Sequence, residues 1–339
     1  MWQENSIFRE DIADINKATF IPWEQLKNST VFITGATGLI GSALIRVLSY
    51  MNETRQLNIS LLALVRDAER AKEIFSKEIA AGYLKFIVGR VEEPIKVDEG
   101  IPIDYVIHGA SQTASKKFVT QAVETIKTAV TGTENLLALA KQKKVKGFVY
   151  LSSMEVYGYP LRGHKVIEEE IGALSPLDLR NSYPLSKQLC EMMCCAYAKE
   201  YGVPTKIIRL TQTFGPGVHE NDQRIFAYFA KCVLEKKDIV LKTKGETERC
   251  YLYTMDAVTA ILTVLLKGLP GEAYNAADSS TYCSIREMAE KVAADGGISV
   301  KYDITDEAAQ GFPRTLYMNL DTTKLENLGW HTIHSGGGN

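Results

Sequence analysis

Two short segments of this 339-residue chain carry side chains suited to proton chemistry. In the first, an apolar run over 147–151 leads into Ser152-Ser153-Met154-Glu155, which gathers two hydroxyls and a carboxylate at one point. In the second, Ser182-Tyr183-Pro184-Leu185-Ser186-Lys187, the tyrosine and lysine stand four apart and share one face of a helix. A phenol near pKa 10 is a poor base at neutral pH, and a neighbouring ammonium favours its ionised form. Bringing it to about 7 takes roughly three units, about 4 kcal/mol, which Lys187 and one further cation would supply together. Tyr183 would then remove a hydroxyl proton, while Ser153 holds and orients the same oxygen.

The elements around these segments decide whether they meet. From Thr30 onward, apolar runs at 31–33, 59–65, 84–88, 105–107, 147–151 and 206–210 alternate with stretches of helical spacing. Runs that are apolar throughout rather than alternating fit strands covered on both faces, and the pattern predicts a doubly wound parallel α/β sheet over 29–210. Ser152, Ser153 and Glu155 then sit at the carboxyl end of a strand, where open α/β sheets bind ligands. The first strand runs into Thr34-Gly35-Ala36-Thr37-Gly38-Leu39-Ile40-Gly41, followed by an amphipathic helix. Glycines at this spacing allow a tight turn, close approach of a pyrophosphate and close helix packing, with the anion at the helix N-terminus. Gly35, Thr37, Gly38, Leu39, Ile40 and Gly41 are therefore candidate dinucleotide contacts. The second strand ends in Arg66-Asp67. Arg66 suits the 2′-phosphate of NADP and Asp67 the free ribose of NAD, while a solvated pair opening the next helix is a third reading, so NAD and NADP both stay open.

Composition bounds the rest. With 45% apolar and 24% charged residues and a formal net charge of −2, the chain suits a globular protein with a large core. The balanced charge argues against a nucleic-acid partner held by phosphate contacts. No apolar run approaches the length of a membrane span, the N-terminus lacks a secretory pattern, and the six cysteines form no CxxC pair. Reduced thiols, a cytoplasmic location, and no membrane or metal partner are expected. Cys190, Cys194 and Cys195 are read as core packing, and His108 as structural.

Together these residues resemble the extended short-chain dehydrogenases, in the branch of NAD-dependent nucleotide-sugar epimerases, dehydratases and decarboxylases. The likeness spans 29–330. It rests on Gly35, Gly38 and Gly41, on Tyr183 with Lys187, on Ser153 four before Tyr157-Gly158, and on Arg209, Phe214-Gly215-Pro216, Arg249 and Leu328-Gly329-Trp330. It implies a Rossmann sheet with a smaller C-terminal substrate lobe, a tightly held and recycled NAD or NADP, and a nucleotide-sugar substrate oxidised transiently to a 4-keto sugar. Ala110 and Ser111, after the fourth strand, would run along the cofactor. Gln212, Arg224 and Arg249 would meet the nucleotide sugar, the arginines as bidentate phosphate donors. Glu155 falls where the 4,6-dehydratases and UDP-glucuronate decarboxylases of this branch carry a glutamate, which favours dehydration or decarboxylation over 4-epimerisation. Three positions depart from the branch: Ala129 and Gln212 replace asparagines, and Arg90 replaces an acidic residue.

The expected organisation is an N-terminal extension over 1–28, a cofactor domain over 29–210 with returning segments near 250–276, a substrate lobe over 211–249 and 277–330, and a disordered tail over 331–339. Helices are expected over 7–15, 118–141, 182–201, 221–235 and 256–266. The second and third of these resemble the helices of a four-helix homodimer interface. A 4-epimerase, an NADPH-dependent carbonyl reductase and a non-catalytic cofactor sensor are the alternatives.

Overall fold

Apolar runs of this kind become strands when helices can cover both of their faces, and the computed structural model, which describes residues 5–219, 221–222, 224–304 and 314–334, shows that arrangement. The strands in chain order are β1 (Thr30–Thr34), β2 (Ser60–Val65), β3 (Leu84–Val88), β4 (Tyr105–His108), β5 (Gly147–Ser153), β6 (Lys165–Val166) and β7 (Thr205–Leu210). They continue with β8 (Gln212–Phe214), β9 (Ile239–Leu241), β10 (Glu248–Tyr253), β11 (Ala273–Ala276), β12 (Asp278–Ser284), β13 (Val300–Tyr302) and β14 (Tyr317–Leu320). The helices are α1 (Ser6–Lys17), α2 (Leu39–Arg55), α3 (Ala68–Ile74), α4 (Ser76–Ala80), α5 (Ser115–Thr120) and α6 (Ala122–Lys143). After them come α7 (Ser182–Tyr201), α8 (Ile225–Leu234), α9 (Thr254–Lys267), α10 (Ile285–Gly296) and α11 (Thr323–Glu326).

Seven strands form one parallel sheet in the order β11-β7-β5-β4-β1-β2-β3. The order reverses at β1, so the crevice between β1 and β4 opens at the carboxyl ends of the strands, where a dinucleotide lies in such folds. One face is sealed by α2, α9 and the N-terminal α1, with Phe8, Ile12, Ile15 and Trp23 buried in the same apolar cluster as β1 and α9. The other face is sealed by α6 and α7 through Leu136, Leu137, Cys190 and Cys194. Cys190 and Cys194 of α7 therefore serve packing as expected, whereas Cys195 is exposed on the other side of the helix, its thiol donating to the Gly271 carbonyl.

A smaller lobe is built on a second sheet, β12-β10-β14-β6, with β8 paired to β10. Its core takes Met154, Val156, Tyr157 and Val166 from within the span assigned to the cofactor domain, alongside Cys250, Met318 and Leu320. The segment that leaves β5 thus bridges both bodies.

Three expected elements differ in detail. The helix over 118–141 is two helices, because Gln121 leaves helical geometry (φ −137°, ψ 45°) between α5 and α6. The helix expected from 221 begins at Ile225, because the Asp222 carboxylate accepts from the Arg224 amide and guanidinium and holds the preceding turn open. In the tail, 331–334 is ordered: the amides of Ile333 and His334 donate to Asp256 at the start of α9. Residues 335–339 lie outside the described residues.

Candidate active site

Strand β5 ends where Ser153 turns into a short 3₁₀ segment over Met154–Tyr157, its Oγ accepting the Glu155 amide at 3.2 Å. Helix α7 starts at Ser182, whose hydroxyl donates to the Phe118 carbonyl at 2.7 Å. These two ends meet. Lys187 Nζ donates to the Leu151 carbonyl at 2.7 Å and lies 4.6 Å from the Tyr150 ring centroid and 5.6 Å from that of Tyr183. The Tyr183 phenol stands close enough to the Ser153 hydroxyl for the hydroxyl to favour its ionised form. Ser153, Tyr183 and Lys187, separated by up to 34 residues in sequence, form one cluster, the tyrosine and lysine buried and Ser153 half-buried, with Glu155 beside it.

The electrostatics differ from the simple expectation. Burial pushes the Tyr183 phenol well above its ordinary value, the Glu155 carboxylate adds to the rise, and the Ser153 hydroxyl opposes it. Lys187 does not by itself draw the phenol down, because its ammonium points at the Leu151 carbonyl and is itself desolvated to about 8. Ionising Tyr183 therefore calls for a second positive charge. Glu155, its side chain 30% exposed, is raised by burial, with Arg180 and then Arg249 pulling it back. Arg180 Nη1 lies 3.6 Å from Glu155 Oε2 and has no hydrogen-bond partner, although the atom is buried; Arg249 Nε is also buried and unpartnered. The mouth of the site thus presents two guanidinium groups with donors to spare, which suits an anionic ligand.

The glycine turn fits a dinucleotide. Gly35 has φ +71°, and a Cβ there would stand 2.7 Å from the Gly109 backbone; a Cβ at Gly41 would stand 2.3 Å from the Gly35 carbonyl oxygen. β1, the β4 loop and α2 can close together only if both are glycine. Gly38 is the exposed N-cap of α2 and offers no side-chain cap, which leaves the amides of the first helical turn facing the crevice. Thr37 beside it is exposed, and Leu39 and Ile40 are half-buried. Ala110 N donates to Thr34 Oγ1, which also bonds His108 Nδ1, and His108 Nε2 meets Thr133. Both ring nitrogens of His108 are thereby used, and burial holds its pKa down at about 3, so it is a neutral strut. Ser111 follows, half-buried on the same loop. At the end of β2, Arg66 is exposed, while Asp67 caps α3 by accepting the Arg70 amide, the third reading of this pair.

The lobe residues are partly gathered. Arg249 Nη1 donates to Gln212 Oε1 at 3.0 Å and lies close enough to act on Glu155. Arg224 is instead committed to Asp222 and to the Thr213 carbonyl, with its guanidinium over Phe226. Two residues absent from the sequence reading as site components enter here. Phe118 stacks on Tyr183. Arg180, three residues before Tyr183, approaches Glu155. A charge just ahead of the helix that carries the Tyr and Lys was the available signal for Arg180; nothing marked Phe118.

Residues 31–277 match the NAD dependent epimerase/dehydratase family. The chain is 27% identical over 306 residues to UDP-glucuronic acid decarboxylase 1 of Xenopus tropicalis, covering 89% of this chain and 68% of that one. It is 28% identical over 308 residues to dTDP-D-glucose 4,6-dehydratase of Homo sapiens, covering 88% and 84%. Among solved structures, DesIV, a dTDP-glucose 4,6-dehydratase from Streptomyces venezuelae with NAD and TYD bound, superposes with a TM-score of 0.75 at 23% identity over 91% of this chain and 93% of that one. A matched span that holds the glycine turn, Ser153, Tyr183 and Lys187 is the greater part of the sequence, and the chain belongs to the NAD dependent epimerase/dehydratase family.

Proposed function

We propose that the protein is an NAD-retaining nucleotide-sugar enzyme that oxidises its sugar at C4 and then eliminates water or carbon dioxide from the keto sugar. The observation that supports it most is the position of Glu155: a half-buried carboxylate between Arg180 and Arg249, beside Ser153 and Tyr183. An epimerase needs an acceptor for one hydroxyl proton; a carboxylate next to it gives a second proton-transfer group, which elimination requires. Bound NAD would supply the reversible two-electron oxidation and, in its oxidised form, the second positive charge that Tyr183 calls for. The α2 amides, Ala110 and Ser111 would hold it in the crevice. Tyr183 takes the C4 hydroxyl proton, Ser153 orients that oxygen, Lys187 favours the phenolate, and Glu155 moves the proton next to the new carbonyl. Arg249, with Gln212, and Arg224 once released from Asp222 would hold the diphosphate in the lobe.

NAD is the cofactor we favour, because Arg66 has no built partner set around it and relatives of this fold hold NAD. A homodimer through α6 and α7 belongs to the same reading, since both helices leave apolar side chains exposed. The test is mass spectrometry of a panel of nucleotide sugars, UDP-glucuronate and dTDP-glucose included, after incubation with the protein and NAD. Loss of 18 or 44 mass units, about one water or one carbon dioxide, is expected for one member, from a Glu155-assisted elimination. Unchanged mass with an NMR-detected epimer would replace elimination by 4-epimerisation. Net consumption of reduced cofactor would replace it by a reductase.

A further inference from the structure

Three consecutive residues of β5 meet three residues spaced one turn apart along α7. The Leu151 carbonyl accepts from Lys187, the Ser152 hydroxyl donates to Glu191 Oε1 at 2.5 Å, and the Ser153 hydroxyl meets Tyr183. Two of these rungs involve the residues assigned to chemistry. The third, Ser152–Glu191, involves none of them, yet it is the most heavily built. Glu191 is buried and gripped by Arg209 through two bonds, Nε to Oε1 at 2.9 Å and Nη2 to Oε2 at 2.6 Å. Arg209 Nη1 continues to the Tyr157 hydroxyl at 2.8 Å and to the Glu168 carbonyl, and the Tyr157 hydroxyl donates to Asn275 Oδ1 at 2.5 Å.

The Arg209–Glu191 pair therefore holds the chain at Ser152 on one side and at Tyr157 on the other. Between those two anchors stand Ser153 and Glu155. Gln188 Nε2 of α7 also donates to the Val156 carbonyl at 2.8 Å and the Thr211 hydroxyl to Met154 Sδ at 3.3 Å, while the Ser153 cap on the Glu155 amide and the Glu155 carbonyl with Gly158 are short-range. A bidentate guanidinium–carboxylate pair has one geometry, and in a buried network every bond polarises the next, so such a pair fixes position far better than a single hydroxyl would. Glu191 also stands one helical turn beyond Lys187, and its charge supports the lysine's protonated state against burial.

We infer that Glu191, Ser152, Arg209 and Tyr157 are positioning residues: a two-ended clamp that sets where Ser153 and Glu155 stand relative to Tyr183. The inference rests on the roles proposed above for Ser153, Glu155, Tyr183 and Lys187.

The experiment compares Ser152→Ala, Ser152→Thr, Tyr157→Phe and Glu191→Gln with wild type in turnover, thermal unfolding and amide hydrogen exchange. Ser152→Ala and Tyr157→Phe should each lower kcat about tenfold with KM little changed, since small misplacements cost rate rather than binding. Their Tm should stay close to wild type while amides over 152–157 exchange faster. Ser152→Thr, which keeps the hydroxyl, should restore kcat. Glu191→Gln should move the alkaline limb of the kcat profile toward neutral pH, which a structural role alone would not do. Wild-type kcat and exchange in both Ser152→Ala and Tyr157→Phe would overturn the clamp, as would a kcat loss that follows Tm and is not restored by threonine. A wild type inert toward every nucleotide sugar would sink the functional reading instead, and exchange over 152–157 would still decide the clamp.

Discussion

Tyr183 lies flat against Phe118, with ring centroids 4.5 Å apart and parallel planes, and the Arg180 guanidinium stands 5.0 Å from the same phenylalanine ring. Phe118 is buried and belongs to α5, the short helix that follows the loop of Ala110 and Ser111. Its ring therefore fixes the tilt of the phenol and gives Arg180 an apolar seat near Glu155. A stacked aromatic pair contributes about 0.5–1.5 kcal/mol beyond area burial. Phe118→Leu should keep most of the bulk, cost about 1–2 kcal/mol of stability, and lower kcat well beyond its effect on Tm. Calorimetry beside steady-state kinetics checks this; a leucine variant with wild-type kcat would show that the stack does not orient Tyr183.

The pH dependence of turnover follows from Lys187. Burial lowers this lysine from its ordinary value to about 8, so it is charged below that pH and neutral above it. In the proposed mechanism the charged form assists the Tyr183 phenolate together with the oxidised cofactor, so kcat should fall as pH rises through about 8. The effect on stability has the opposite sign: between about 8 and the unfolded value near 10.5 the unfolded chain binds the extra proton, so this group favours folding as pH rises across that window. Tyr183→Phe should lose about 10²–10⁴ in kcat while Tm hardly moves. A kcat profile flat to pH 10 would remove Lys187 from the role given to it here.

The large sheet was legible because most of its strands are short, mainly apolar runs separated by stretches of helical spacing, and the site ends of β5 and α7 followed from the types and spacing of Ser153, Tyr183 and Lys187. The residues around them were harder to read, for a physical reason. Glu191 and Arg209 satisfy one another across 18 positions in sequence, and a buried polar pair leaves no periodic trace. Arg224 reads as a free guanidinium until Asp222, two residues earlier, is seen to hold it. β6 spans two residues, too few for any alternation, yet it ties the segment after β5 into the lobe sheet. The break at Gln121 has no glycine or proline to mark it.

His334 joins both ends of the chain to α9. Its Nε2 lies 3.2 Å from Asp11 Oδ1 and its Nδ1 3.4 Å from Asp256 Oδ1, while the Tyr253 hydroxyl donates to Asp11 Oδ2 at 2.7 Å. Both carboxylates are buried, and they raise His334 to about 9 against the desolvation that would lower it. A raised histidine contributes stability that is complete below about 6.5 and lost as pH rises through about 9, at most about 3 kcal/mol. Lys187 acts in the opposite direction above 8, so the comparison must be with His334→Gln. Wild type should lose Tm between pH 6.5 and 9 relative to that variant; parallel Tm curves would show that the imidazole carries no charge there.

Two packed helices, α6 and α7, each carry exposed apolar side chains. On α6, Val123 is 63% and Ile126 44% exposed; on α7, Leu189 is 46% and Met192 68% exposed. Each pair is three residues apart and so lies on one face of its helix, and α6 packs along α7, which makes the four side chains parts of neighbouring ridges. A second copy of the same surface would bury them by two-fold symmetry, each α6–α7 pair meeting its mate. Charge placed there should separate the copies, because a carboxylate cannot be buried against leucine and methionine without a partner. Val123→Glu with Met192→Glu should be monomeric by light scattering at micromolar concentration, where wild type should be dimeric. The substituted positions are solvent-exposed in the single chain, so the folded monomer should keep nearly its full unfolding enthalpy per chain; a wild type that is itself monomeric would refute the interface.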